Sequence, residues 1–403
     1  MIPKNETDAV DVISFEAPYP FTALTFTANG ILLAGGEDGS LRIFDLTPTA
    51  RRALRKAIQG LPHEVTSICS QTNCSGSPSE ALGAVWVASG KQIYLFDLDL
   101  DRLVIKAEEA QDNMILIDDD GDEGNVLNQI AMFKDLIAYS CDSGSVGVLE
   151  IQTKNRRTMR AMHTSVRILN FGRDMWFCCF RSNPAARKQV SFLNLFEDQL
   201  MLGGSHSVVS GGYDAQLIHF DASLGSVLSK LDVPAPATSD SSISFSPPFL
   251  LSISINSTGV LAAATADGRV IVGRGGERGR GDKPNRRKWN GLNFDMVDQY
   301  HLAEGPIVGI SWVGPSELLS ASLGGKLKHF RIPDPQRGVR PASGATEPQH
   351  IWAASTSQIH KVNSLAVFTT PGRALHIAVG GLTSTGRGCV EVWKRQHGDG
   401  TIG

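Results

Sequence analysis

The sequence predicts an all-β fold, a seven-bladed β-propeller, and two observations carry that prediction. One phrase recurs seven times along the 403 residues: an apolar stretch, a small-residue turn holding Asp-Gly or Gly-Gly, then alternating hydrophobics that end in an aromatic and usually an acid. The clearest copies run from Ala34 to Asp45 and from Ser210 to Asp221. A unit of this kind is one small sheet that cannot bury its face alone, so such units stack on their neighbours. The second observation is composition, with 41 glycines in a chain that is 41% hydrophobic and 20% charged, as expected of a globular fold that turns often.

Strands alternate sides with a period of two, which reads the first unit as strands around Leu24 to Phe26, Ile31 to Ala34 and Leu41 to Leu46. The second unit runs from Val65 to Leu98 and the third from Val126 to Ile151, with its turn at Cys141-Asp142-Ser143-Gly144. The fourth is read as split, with Val166 to Phe180 supplying one half and Ser207 to Asp221 the other. The fifth holds Gly259 to Val272, the sixth Ile307 to Ile332, and the seventh Val362 to Trp393. The seventh ends without a fourth strand of its own. Asp11-Val12-Ile13-Ser14-Phe15 is therefore expected to complete it, because an open edge would invite aggregation.

These units resemble the WD-repeat family over nearly the whole chain. Phe-Asp stands where that family has Trp-Asp, at Phe44-Asp45, Phe96-Asp97 and Phe220-Asp221, and Trp393 ends the last unit. The family's turn acid is matched by Asp38, Asp142, Asp214 and Asp267, while Gly90 and Gly324 take that place in units two and six. Pro62-His63 and Met162-His163 are relics of the Gly-His start. An Asp at a tight turn accepts bonds from nearby amides, Gly supplies positive φ, and the terminal aromatic fills the space between blades. All of these residues are expected to be structural.

The repeats are spaced wider than the roughly 40 to 45 residues usual for such blades, so loops have been inserted, and inserted loops carry function. Residues 112–125 form an acidic loop around Asp118-Asp119-Asp120-Gly121-Asp122-Glu123. It lacks calcium-loop phasing, because the twelfth position counted from Asp118 is Gln129 and not Glu, so it reads as a solvated acidic segment. Residues 181–206 read as an insertion in blade four, although the Phe192 to Phe196 stretch would also suit a blade strand. Residues 273–300 form a basic Arg/Gly loop between blades five and six. Arg274, Arg278, Arg280, Arg286, Arg287, Lys288 and Trp289 there have the composition of segments that bind RNA phosphates and stack on bases. The same composition describes a surface loop, and that reading is preferred because the rest of the chain is not basic.

The chain carries 38 basic and 41 acidic residues, a formal net charge of -3, so no global field draws it to nucleic acid or a membrane. Its apolar runs are too short to span a bilayer, and its first residues lack the basic start and apolar core of a signal peptide. The six cysteines show no CxxC pairing and read as reduced thiols of a cytoplasmic or nuclear protein. No HExxH, GxSxG or GxxxxGK[ST] pattern occurs, and the glycine runs lie in strand-to-strand turns where no helix end could hold phosphate. Neither catalysis nor a cofactor or metal is expected.

The WD-repeat resemblance implies a protein-interaction scaffold that works through other proteins. The blade order, including Val65-Thr66-Ser67, the turn Ser89-Gly90-Lys91-Gln92-Ile93 and Lys361-Val362-Asn363, further implies a substrate receptor docking on the adaptor of a cullin-4 ubiquitin ligase. Receptors of that type carry Trp-Asp-x-Arg at the end of a blade. Here Phe96-Asp97-Leu98-Asp99 has Asp in the Arg position, and Phe44-Asp45-Leu46-Thr47 lacks the Arg as well, so adaptor binding is expected to be weak or absent. RNA or ribonucleoprotein binding through the Arg/Gly loop is the alternative.

Overall fold

A computed structural model describes residues 11–47, 53–70, 82–118, 124–159, 190–197, 206–235, 247–274, 292, 296–333, 347–370, 372 and 374–396. The described residues are organised as seven sheets in chain order, antiparallel except for one parallel pairing, the blades of a seven-bladed β-propeller. A 3₁₀ turn stands at Ala107–Glu109.

The first strand, β1 (Asp11–Ala17), joins the last blade. Blade one then contains β2 (Phe21–Phe26), β3 (Leu32–Gly36), β4 (Leu41–Phe44) and β5 (Leu54–Gln59), and blade two contains β6 (Val65–Ser70), β7 (Ala84–Ser89) and β8 (Gln92–Asp97). Between β8 and the last strand of blade two, the chain crosses to blade one. There β9 (Val104–Lys106) pairs in parallel with β5 as a fifth strand, after which β10 (Asp112–Ile115) closes blade two. Asp112–Ile115 is thus a blade strand and not part of an acidic loop, because its amides complete the β8 ladder.

Blade three is β11 (Leu127–Phe133), β12 (Leu136–Cys141), β13 (Val146–Glu150) and β14 (Arg156–Thr158). Blade four is β15 (Val190–Glu197), β16 (His206–Gly212), β17 (Gln216–Asp221) and β18 (Ser226–Asp232). Its first strand, Val190–Glu197, comes from the segment read as an insertion, while Val166 to Phe180 lies outside the described residues. Phe192 to Phe196 supplies a period-two run that pairs with Ser207 to Gly211 in unbroken antiparallel register. Residues 160–189 lie outside the described residues.

Blade five is β19 (Leu250–Ile255), β20 (Leu261–Thr265), β21 (Arg269–Gly273) and β22 (Val297–His301), so both ends of the 273–300 segment are strand. Blade six is β23 (Ile307–Trp312), β24 (Glu317–Ser322), β25 (Lys326–Arg331) and β26 (Gln349–Ser355). Blade seven is β27 (Lys361–Thr369), β28 (Ala374–Leu382) and β29 (Gly388–Gln396), completed by β1 as expected, with Asp11 opposite Lys394 and Ala17 opposite Gly388.

By chain contacts the molecule divides into two compact units. One comprises residues 1–89, 94–113 and 308–403, and the other residues 90–93 and 114–307. In the first, blades one and two share an aliphatic core that includes Leu33, Ile43, Ile58, Val65, Val87, Phe96, Leu98 and Ile105. Blades seven and one meet through Phe21, Ala34, Phe44, Ala378 and Val390, and Phe15 of β1 stacks on Phe44 with ring centroids 4.5 Å apart. Blades six and seven meet through Leu319, Leu327, Ile377, Val379 and Trp393. In the second unit, Ala138, Val148, Val208 and Phe220 join blades three and four, and Val209, Leu217, Leu261 and Ile271 join blades four and five. This interleaving of strand faces follows from the period-two alternation that the repeats carry.

Candidate interaction surface

The residues singled out from sequence fall first into the turns between the second and third strands of the blades. Asp38 accepts hydrogen bonds from the Ser40 N–H at 3.2 Å and the Ser40 hydroxyl at 2.6 Å, and it pairs with Arg42 at 2.9 Å. Burial acts to raise the Asp38 pKa, but hydrogen bonds from Arg42 and Ser40 and the Arg42 charge outweigh it and hold the carboxyl below the ordinary value. Asp267 does the same job from inside the protein. It is 1% exposed and takes the Thr265 hydroxyl, the Arg269 Nε at 2.8 Å and the Arg269 Nη2 at 2.6 Å. Arg269, itself buried, spends its remaining donors on Gln299 Oε1 and Pro234 C=O, both at 2.8 Å.

Asp214 accepts the Gln216 N–H at 3.2 Å. In blade three the Ser143 N–H donates to the side chain of buried Asn125 at 3.0 Å. In blade seven, buried Glu391 accepts the Ser357, Gln358 and Ile359 amides at 2.9, 2.6 and 3.2 Å. Sequence reasoning missed Asn125 and Glu391 because neither stands within its turn. The only available signal was an acid or amide next to an aliphatic run.

The Phe-Asp pairs divide their labour. Phe44, Phe96 and Phe220 are buried, as is Trp393. Each Asp then caps the turn that leaves the third strand. Asp45 accepts the Thr47 N–H at 3.0 Å, Asp97 the Asp99 N–H at 2.9 Å, and Asp221 the Ser223 N–H at 2.8 Å.

Glycine at positive φ occupies the turn between the second and third strands in six blades, at Gly39, Gly90, Gly144, Gly268, Gly325 and Gly386. At Gly268 an added Cβ would meet the Ala303 carbonyl oxygen, so the backbone approach also demands glycine. Blade four has Ala215 at that place, at φ 57.

Arg274 is drawn into the sheet. It is 7% exposed and its Nε lies 2.9 Å from Asp298 Oδ2. Burial and then the Asp298 charge push the neighbouring Tyr300 hydroxyl pKa up. Arg278, Arg280, Arg286, Arg287, Lys288 and Trp289 lie outside the described residues, as do Asp119 to Glu123 of the acidic loop. Asp118 pairs with Arg156 at 2.8 Å, and Arg156 also donates to the Leu116 carbonyl at 3.0 Å.

The surface that the sequence did not announce is the crossover of residues 98–111. Asp99 accepts the Leu82 N–H at 2.6 Å and the Gly83 N–H at 3.0 Å. Lys56 of β5 donates to the Leu98 carbonyl at 2.8 Å and to that of Leu100. Leu98 and Ile105 are fully buried, and Glu109 accepts the Lys106 N–H at 2.9 Å and pairs with Arg102. The strap is therefore pinned along its length. It still exposes Leu100, Leu103 and Val104, and Leu54 of β5 is exposed as well.

Among the described residues no group of three or more His, Cys, Asp or Glu is placed to hold a metal ion. No helix among them is long and apolar enough to cross a membrane. No family model matches the chain, and no curated protein matches it in sequence. The architecture, a seven-bladed propeller of repeats ending in an aromatic and an acid, is consistent with the WD-repeat family.

Proposed function

We propose that the protein is a non-enzymatic protein-interaction scaffold of the WD-repeat type, acting in the cytoplasm or nucleus. The observation that supports it most is how its chemistry-bearing side chains are used. The acids Asp38, Asp214, Asp267 and Glu391 hold backbone amides or an Arg of their own blade. Such groups rigidify a frame and leave its surface to bind. The buried thiols Cys141 and Cys389 fit a reducing compartment.

The blade order resembles that of WD repeat-containing protein 53, and this supports reading the chain as a divergent substrate receptor of a cullin-4 ligase. Asp99 weighs against docking through the usual arginine, since its carboxylate is committed to the Leu82 and Gly83 amides. Affinity purification of the tagged full chain followed by mass spectrometry tests the scaffold reading. Stoichiometric protein partners that survive nuclease treatment are expected. Retention only on RNA, lost in high salt and on deleting residues 273–288, would replace it with the nucleic-acid reading.

A further inference from the structure

We propose that Glu317, His329 and Arg395 form a pH-governed latch that ties blade six to blade seven. His329 of β25 is fully buried. The Arg395 Nη1 of β29 donates to its Nδ1 at 3.3 Å, and the Glu317 Oε2 of β24 stands 3.2 Å from its Nε2. The Arg395 guanidinium also lies over the Trp352 ring of β26, 5.6 Å from the centroid, and Trp352 is opposite His329 in the sheet. One imidazole is thus held between a carboxylate of its own blade and a cation of the next.

The fold does not call for a titratable side chain at this place. The third strands of blades one, four and six each shift register just before a buried Phe, between Ile43 and Phe44, His219 and Phe220, and His329 and Phe330. Blade one fills the place with Ile43, which is equally buried. Blade four has His219, whose Nδ1 lies 3.3 Å from the Ser229 hydroxyl. A hydroxyl can donate or accept, so that contact survives a proton on the ring. A guanidinium has donors only, and the contact in blade six cannot reverse.

The donor-only partner assigns the proton. Nδ1 accepts and is bare, so the neutral ring carries its hydrogen on Nε2, toward Glu317. A second proton would go to Nδ1, set N–H against N–H and place an imidazolium beside a guanidinium. Arg395 must then leave. It is half-buried, next to the last residue of β29, with a long stem that can carry its head to water. The imidazolium left behind is held by Glu317, whose Oε1 accepts from Arg331 Nη2 at 2.8 Å. The latch has two states: closed, with neutral His329 and Arg395 seated, and open, with His329 charged on Glu317 and Arg395 in solvent.

The open state holds one proton more than the closed state, so falling pH favours it, across the ordinary histidine range of about pH 7 to 5. The groups around the ring are Glu317 from β24, Trp352 from β26, Arg395 from β29 and, on β25 itself, Lys328 and the Arg331 that shares Glu317. Two other histidines lie close in the same blades. His350 is exposed and edge-on to Phe330, and His376 feels the charge of Lys394.

The test has two arms on the full chain. In the first, nitrogen NMR of histidine-labelled protein at pH 8, with His329 assigned by its loss in His329→Gln, should find Nδ1 bare and Nε2 protonated. In the second, the fluorescence of Trp352, taken as the difference between the full chain and Trp352→Phe, should show one reversible step between about pH 7 and 5 as the guanidinium leaves the ring. Arg395→Gln offers an acceptor as well as donors and should shrink that step by about fivefold or more, whereas Arg395→Lys, with donors only, should keep it. His376→Gln should leave it unchanged. The Arg395 pair changes a half-buried position and tests the latch even where His329→Gln does not fold.

A proton on Nδ1 at pH 8 would overturn the proposal. So would the absence of a step, a step that survives Arg395→Gln, one lost equally in Arg395→Lys, or one abolished by His376→Gln.

Discussion

The carboxylate of Asp99 accepts the backbone N–H of Gly83 at 3.0 Å, tying the end of one blade-two turn to the start of β7. That side chain is therefore part of the frame. Asp99→Arg therefore does two things at once: it supplies a guanidinium and it releases the Leu82 and Gly83 amides. We expect a loss of about 1 kcal/mol in stability, with any gain in adaptor co-purification limited by that loss. Thermal melting alongside co-purification separates the two effects.

Asp267 and Arg269 form the most buried ion pair among the described residues, at 2.6 Å, with side chains 1% and 10% exposed. Asp267→Ala would leave the Arg269 guanidinium buried without its carboxylate and should cost about 3 kcal/mol or more. Asp38→Ala, at a pair whose side chains are 18% and 20% exposed, should cost about 1 kcal/mol. Chemical denaturation of the two variants checks the order.

Ala215 is held at φ 57 where the other six blades have glycine. Ala215→Gly should raise stability by up to about 1 kcal/mol, because relief of the left-handed strain exceeds the entropy that glycine adds to the unfolded chain. A lower melting temperature would show that the Ala215 side chain, which packs against the core between blades four and five, matters more than the strain.

Burial, and then the charge of Lys394, lower the His376 pKa from its ordinary value of 6.5. The folded chain therefore takes up this proton at lower pH than the unfolded chain does. The associated stability is fully present above pH 6.5 and is lost as pH falls through that value toward the depressed one. His376→Gln should flatten the decline in melting temperature between pH 7 and 5. Asp38 has the matching acid sign at lower pH: its depressed pKa gives stability that is present above the ordinary value of 3.8 and lost below it.

Much of this fold was legible because each blade repeats the same local physics. Turn acids and glycines at Asp38-Gly39 and Asp267-Gly268 announced hairpins, and the buried ends Phe44, Phe96 and Phe220 announced strands. Reading stayed open where two runs competed for one role, as in blade four, whose first strand is Val190–Glu197. Composition gave no hint that the partner of β14 residue Arg156 would be Asp118, or that Arg274 would leave the basic loop for Asp298. Those contacts join residues 38 and 24 positions apart, and their pairing depends on strand order.

The most direct test of the account is hydrogen exchange across β29 in the full chain and in a chain lacking residues 1–16. β1 pairs with β29 from Asp11–Lys394 to Ala17–Gly388, and Phe15 anchors it on Phe44. Removing it should unprotect the β29 amides that face β1 by orders of magnitude, leave those facing β28 slower, and lower the melting temperature markedly. Unchanged protection of Gly388–Gln396 in the shortened chain would contradict the closure of blade seven by the N-terminal strand, and with it the propeller as described.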